Sequence, residues 1–241
     1  MLTEAARNGH LRSGSCILEA TSGNMGIALA GISKELGYQC KIVMPENVSS
    51  QRKELIRNFH AELILTDGSL GMKGAINKAK EILKDSKNTF YCDQFNNICS
   101  VDAHILTTAP EITHKLREKT DVIIAGIGTG ATVRGLYEYF KEKNSAIEII
   151  GILPDKHPHK IEGIGAGFVP PFLTDISLDQ IITVSDSEAF IEQSSIFLSE
   201  NLFVGKSSGA VIAGLKKLLK NNKYCRKNIV MIFPDGGDRY I

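Results

Sequence analysis

Thr21-Ser22-Gly23-Asn24 puts two hydroxyls and an amide at the start of a small-residue helix, directly after a strand-like stretch. Backbone N–H groups left open at a helix N-terminus attract anions, and short polar side chains complete the grip. IIAGIGTGAT (123–132) is a second such place: Gly126, Gly128 and Gly130 close an apolar strand and open a helix, and Thr129 and Thr132 add hydroxyls. Glycines let backbone approach a phosphate closely. A monophosphate cradle is the favoured reading. Gly126-x-Gly128-x-x-Ala131 also satisfies the dinucleotide fingerprint, but the acidic residue expected at the end of the next strand arrives late, as Asp155 after Ile152-Leu153-Pro154. A turn that only packs helix on strand is the third alternative.

VGKSSGA (204–210) matches G-x-S-x-G through Gly205, Ser207 and Gly209. A hydrolase built on that elbow needs Asp and then His downstream. Asp235 and Asp238 follow, but the last histidine is His159, so the hydrolase is excluded. Helix N-capping by Ser207 or Ser208 is the plain alternative. His157 and His159 flank Pro158 in a loop, and His104 and His114 share a predicted helix without a carboxylate at ligand spacing, so no metal site is expected.

The elements that must carry these groups alternate between strand and helix. Helices are expected over 3–9, 25–36 (stopped by Gly37), 49–61, 70–84, 101–118, 132–143, 187–200 and 208–220. In the helix of 49–61, capped by Ser49 or Ser50, Leu55, Ile56 and Phe59 share one face. Strands are expected over 16–18, 40–45, 61–66, 89–95, 121–128, 147–153 and 228–235, with a looser Gly/Pro region over 154–175. This rhythm predicts an α/β protein with parallel sheets covered by helices on both faces, in two units that meet near 97–103.

At 241 residues, 43% apolar and 23% charged, the chain suits one or two globular domains. A net charge of +1 gives no field for nucleic acid or a membrane surface. The five cysteines are odd in number and contain no C-x-x-C pair, which argues against a disulfide scaffold or zinc ribbon. No apolar run approaches the ~20 residues of a membrane helix. A cytoplasmic, soluble protein is the expectation.

Seven motifs in one order, EATSGNMGIALA, DQFNNICSVDAH, TTAPEI, AGIGTGAT, HKIEGIGAGFVP, VGKSSGA and FPDGGDRY, span the whole chain. Together they resemble the cysteine synthases (O-acetylserine sulfhydrylases) and their cystathionine β-synthase relatives. The resemblance implies fold type II of the pyridoxal 5'-phosphate enzymes, like the tryptophan synthase β chain, with two parallel-sheet three-layer domains. Residues 1–102 would form a small domain, incomplete, with the substrate carboxylate loop, and 103–241 a large domain with the phosphate loop. By the same resemblance Thr21, Ser22, Gly23, Asn24 and the following Met25 hold the substrate carboxylate, with Gln94 as a second donor. Asn24 also reaches the cofactor ring hydroxyl. Gly128, Thr129, Gly130 and Thr132 form the phosphate cup, Ser207 hydrogen-bonds the pyridine nitrogen, and Gly163 to Gly165 close near the substrate amine.

Several positions depart from the family pattern. Met25 stands where the family has threonine, and losing a hydrogen bond to a charged group costs ~1.5–3 kcal/mol, enough to shift substrate choice. Ala20 replaces proline, Ala131 replaces glycine, Lys206 replaces a small or apolar residue, and the segment 155–157 is short. The family's cofactor lysine, in its N-P-x-x-S-x-K-D-R type motif, has no counterpart here. The expectation is a family member lacking its first strands, from an incomplete record, with a degenerate remnant and a substitute lysine, Lys206, as alternatives. The tail at Asp238 to Ile241 is also expected to be cut short.

The implied activity is β-replacement on O-acetylserine by sulfide, giving cysteine. The alternatives are elimination or replacement on cysteine or serine (desulfhydrase, lanthionine or cystathionine synthase), or a non-catalytic scaffold for serine acetyltransferase. A homodimer is implied as well.

Overall fold

The structure, a computed structural model, describes residues 1–116, 119–143 and 146–240. The chain divides into two compact units, Met1–Cys99 and Ser100–Ile241.

Unit 1 runs α1 (Leu2–Arg7), β1 (Cys16–Ala20), α2 (Asn24–Leu36), β2 (Gln39–Pro45), α3 (Ser50–Asn58), β3 (Glu62–Thr66), α4 (Gly71–Lys84) and β4 (Thr89–Tyr91). Its four parallel strands lie in the order β3-β2-β1-β4. All five residues of β1 are buried, as expected of a central strand covered on both faces. Ile17, Ile42 and Met44 join Leu29 and Ala30 of α2 and Ile56 of α3 in one apolar cluster. Helix α4 packs on β1 and β2, burying Met72, Ala75 and Ala79. Each buried aliphatic side chain contributes up to ~1.5–3 kcal/mol. Gly37 ends α2 in the left-handed conformation, as the glycine stop predicts.

Unit 2 continues with α5 (Cys99–Ala103, which straddles the division), α6 (Ala109–Lys115), β5 (Val122–Gly126), α7 (Ala131–Lys143), β6 (Glu148–Pro154), β7 (Gln180–Val184), α8 (Asp186–Glu200), α9 (Lys206–Leu218) and β8 (Ile229–Met231). The order is β7-β6-β5-β8, all parallel. Alternate residues of β5 and β6 serve opposite faces. Ile124, Ile150 and Ile152 pack with Ala210, Val211 and Ala213 of α9, while Ile123 and Ile149 pack with Val133, Leu136 and Phe140 of α7.

Four details differ from the sequence expectation. The helix expected over 101–118 contains a π-helical stretch, His104–Thr108, between α5 and α6, and its last two residues lie outside the described residues. The strand expected over 89–95 ends at Tyr91, because Asp93 turns the chain with φ 49°. The strand of 228–235 is confined to Ile229–Met231. Strand β7 has no counterpart in the sequence reading. It is an edge strand whose inward residues, Ile182 and Val184, alternate with exposed ones, too short a signal beside the Gly/Pro region. The Ser185–Glu188 capping box that follows it starts α8.

Candidate functional site

In both units the sheet order reverses at the first strand: β2 and β4 flank β1 on opposite sides, as β6 and β8 flank β5. Open α/β sheets place ligands at the carboxyl ends of strands at such switch points. The sequence-predicted residues fall there in each unit.

In unit 1 Thr21–Gly23 links β1 to α2, and Gln94 lies just past β4. Thr21 is buried, and its Oγ1 accepts the Gly23 N–H at 3.1 Å, which turns the loop into the first helical turn. Asn24 and Met25 open α2, and Met25 packs against the apolar cluster. Gln94 Nε2 donates to the Ala20 carbonyl at 2.7 Å, binding the two strand ends together.

Two further residues hold this loop, and the motif reading passed over both. Arg52 of α3 is fully buried, and its Nη1 donates to the Ser22 carbonyl at 2.9 Å. A Cβ at Gly23 would collide with this guanidinium, so the loop requires glycine for close approach. The sequence signal for Arg52 was its spacing: four residues before Ile56, it falls on the apolar face of α3. Glu19 is likewise fully buried, at the end of β1. Its signal was a lone acid inside the buried strand Cys16–Ala20.

In unit 2 the β5–α7 connection, Ile127–Gly130, is wrapped by the loop that follows Ile161. The Gly165 N–H donates to the Ile127 carbonyl at 2.8 Å, and a Cβ on Gly128 would come within 2.6 Å of the Gly163 carbonyl oxygen. Glycine at 128 is therefore a packing requirement. Thr129 Oγ1 accepts the Ala131 N–H at 3.3 Å. Thr132 Oγ1 lies 3.0 Å from His104 Nε2, and His104 Nδ1 lies 2.9 Å from Thr108 Oγ1. Burial lowers the His104 pKa, so the imidazole supporting Thr132 is neutral at physiological pH. His104 shares its helical run with His114 as expected, and its partners are the hydroxyls of Thr132, in the first turn of α7, and of Thr108 in its own run.

The N-capping alternative for Ser207 and Ser208 is not what the structure has. Gly205 is the N-cap of α9, so neither Ser207 nor Ser208 caps it; both lie buried in the first turn. Ser207 Oγ is 3.9 Å from the point where a Gly163 Cβ would stand, and Ser208 Oγ is buried without a hydrogen-bond partner among the described residues. The Gly205 N–H donates to the Asp235 carbonyl at 3.1 Å, tying the start of α9 to the segment after β8. Lys206 Nζ pairs with Glu162 at 2.9 Å. His157 and His159 sit against the same glycine loop, with His159 Nε2 2.9 Å from the Gly165 carbonyl oxygen.

Comparison with known proteins bears on what these two loops serve. Residues 1–235 match the family described as "Pyridoxal-phosphate dependent enzyme". The chain is 39% identical to the cysteine synthase of Buchnera aphidicola subsp. Schizaphis graminum, and 36% identical to cysteine synthase A of Escherichia coli K12. Each match spans 100% of this chain and 80% of the relative. Among solved structures, a hydrogen sulfide-producing enzyme from Fusobacterium nucleatum superposes with a TM-score of 0.94 at 36% identity, covering 100% of this chain and 84% of that one. An O-acetylserine-dependent cystathionine β-synthase from Helicobacter pylori gives 0.93 at 35%, covering 100% and 81%.

The chain belongs to the pyridoxal-phosphate-dependent enzymes.

It is a member of their cysteine synthase branch, with the fold type II architecture and the cofactor of that family. The residues of unit 2 suit pyridoxal phosphate. The helix α7 N-terminus and the Thr129 and Thr132 hydroxyls offer donors suited to a phosphate, with neutral His104 bonded to Thr132. Two buried serine hydroxyls at the start of α9 provide neutral partners for a ring nitrogen.

Proposed function

We propose that this pyridoxal-phosphate enzyme makes cysteine by β-replacement, with an O-acetylated serine as donor and sulfide as nucleophile. The observation that carries the reading is the glycine-walled, hydroxyl-lined turn between β5 and α7, in a chain whose whole length matches cysteine synthases. When bound, the cofactor supplies an electron sink that labilises bonds at the amino-acid α- and β-carbons. Gly128, Thr129, Gly130 and Thr132 would hold its phosphate. Ser207, a neutral hydroxyl, would hold the ring nitrogen without protonating it, a choice suited to loss and replacement of a β-substituent. Thr21, Ser22, Gly23, Asn24 and Gln94 would hold the substrate carboxylate, Asn24 would also reach the ring hydroxyl, and the glycines at 163 and 165 would close beside the amine.

We further propose that no lysine among these 241 residues anchors the cofactor covalently. Lys206, the one lysine the motifs bring near the ring nitrogen's partner Ser207, is already paired with Glu162 at 2.9 Å. The deciding experiment is the visible spectrum of the chain with pyridoxal phosphate before and after borohydride, with peptide mapping. Reversible binding without a reduced adduct is expected; an adduct on Lys206 would overturn the assignment of the anchor, and no binding at all would overturn the cofactor site.

A second reading, elimination of sulfide from cysteine, is favoured by one observation. Met25 puts a thioether, packed on the apolar cluster, at the helix start where a hydroxyl is expected. Parallel assays of O-acetylserine with sulfide and of cysteine alone separate the two. The homodimer and the serine acetyltransferase complex are proposals read by size exclusion of the chain with and without that partner.

A further inference from the structure

The Glu19 carboxyl group is 0% exposed, yet each of its oxygens has a backbone partner in a different segment. Oε1 accepts the Ala20 N–H at 2.8 Å, and Oε2 accepts the Gln94 N–H at 3.2 Å, 75 residues further along the chain. Gln94 Nε2 closes the ring of contacts on the Ala20 carbonyl at 2.7 Å. Ala20 is the entry to Thr21–Asn24, and Gln94 lies across the switch point from it. The clasp therefore fixes the distance between the two segments that together would receive a carboxylate.

We propose that Glu19 is a positioning residue for the amino-acid carboxylate site, holding the Thr21–Asn24 loop and Gln94 in one register through their backbone amides. The proposal rests on the reading that this loop and Gln94 receive the substrate carboxylate.

An acid beside an anion site would ordinarily oppose the ligand. Here the group is neutral: burial, with a further push from Asp93, raises its pKa to about 8 against the pull of the two amide donors. The other titratable groups facing it are Tyr91 and Cys92, both with pKa values raised by burial, while its neighbour across β2 is the apolar Ile42. Tyr91, whose hydroxyl is buried without a hydrogen-bond partner among the described residues, and Cys92 are uncharged throughout the working range. In the neutral carboxyl one oxygen is a carbonyl acceptor and the other a hydroxyl that still accepts an N–H through its remaining lone pair. Both contacts therefore persist without the repulsion, whereas a glutamine nitrogen in the same place cannot accept. Above its pKa it should become a competitor of the ligand.

The test uses propionate, which has a carboxylate but no amine to titrate, on the full chain loaded with pyridoxal phosphate. Amide NMR shifts of Thr21–Asn24 and amide exchange at Ala20 and Gln94 are followed from below to above pH 8. In the wild type we expect propionate to shift the loop amides, with affinity falling about tenfold as Glu19 ionises. Glu19→Gln should bind about tenfold more weakly at neutral pH, lack the step near pH 8 and exchange faster at Ala20 and Gln94. If propionate fails to shift the wild-type loop, the carboxylate-site reading falls and this proposal with it. If the wild type binds and Glu19→Gln matches it in affinity, pH profile and exchange, the positioning role alone is overturned. Should Glu19→Gln not fold, the wild-type profile decides, since a flat affinity across pH 8 also overturns the proposal.

Discussion

In unit 1 the loop after the first strand rests on two fully buried ionisable side chains, Glu19 and Arg52, each bonded to its backbone. In unit 2 the loop after the corresponding strand is walled by glycine and tied by neutral bonds, from the Ala131 N–H to Thr129 and between Thr132 and His104. Both loops leave the strand next to the reversal in sheets of the same order, β3-β2-β1-β4 and β7-β6-β5-β8. One topology thus carries two differently built loops. The Arg52 guanidinium holds the unit 1 loop at Ser22, and the neutral Glu19 carboxyl holds its entry through the Ala20 and Gln94 amides. In unit 2, by contrast, glycine at 128 admits the Gly163 carbonyl against the loop.

The sharpest break of this comparison is Arg52→Leu. It strips the Ser22 carbonyl of its donor and leaves a poorly filled site, so the unfolding free energy of the chain should fall by about 2–4 kcal/mol in urea titration. The pyridoxal phosphate affinity of the remaining folded protein should be nearly unchanged. An equal loss of cofactor affinity would mean that the loops are not separately built.

Gly128→Ala is the mirror experiment. The added methyl meets the Gly163 carbonyl, and overpacking of this kind costs about 1–3 kcal/mol, at most roughly five- to 150-fold in cofactor affinity. Equilibrium titration with pyridoxal phosphate reads it directly.

Stability against pH should sharpen the contrast by sign. Glu19 has a pKa raised from 4.5 to about 8, so the native state holds a proton that the unfolded chain has released. Its contribution is complete below pH 4.5 and is lost as pH rises toward 8. His104 is lowered from 6.5, so its contribution is complete above pH 6.5 and is lost as pH falls below that value. Glu19→Gln should flatten the alkaline decline and His104→Asn the acid one, in thermal melts across pH. If both variants altered the same limb, the assignment of opposite slopes would fail.

The smallest effect belongs to Lys206→Met. Its pair with Glu162 is partly exposed on both sides, and such pairs contribute about 0–1 kcal/mol. Only the cofactor's absorption maximum is expected to respond, which would place this charge within reach of the ring.

Much of this was legible in the chain itself. Apolar strands bounded by glycine, the stop at Gly37, the serine and threonine hydroxyls at helix starts and the order of seven motifs all follow from local spacing, because backbone propensity and capping act over a few residues. Strand β7 was illegible for a physical reason: an edge strand needs only two inward residues, and Ile182 and Val184 alone make no pattern. His104 was weighed only as a metal ligand without a carboxylate at ligand spacing; its bond to Thr132 was out of reach because that residue lies 28 positions on.

The sequence by itself determined the class of fold and which polar groups stand in the turns that follow β1 and β5. Those depend on residue identity and on neighbours a turn away. Tertiary structure alone decided that Arg52 and Glu19 are buried beneath one loop, that Gly128 must be glycine because of Gly163, and that Thr132 leans on His104. Each of these joins residues distant in sequence, and burial, which sets the strength of a hydrogen bond and the charge state of an acid, exists only once the strands have been brought together.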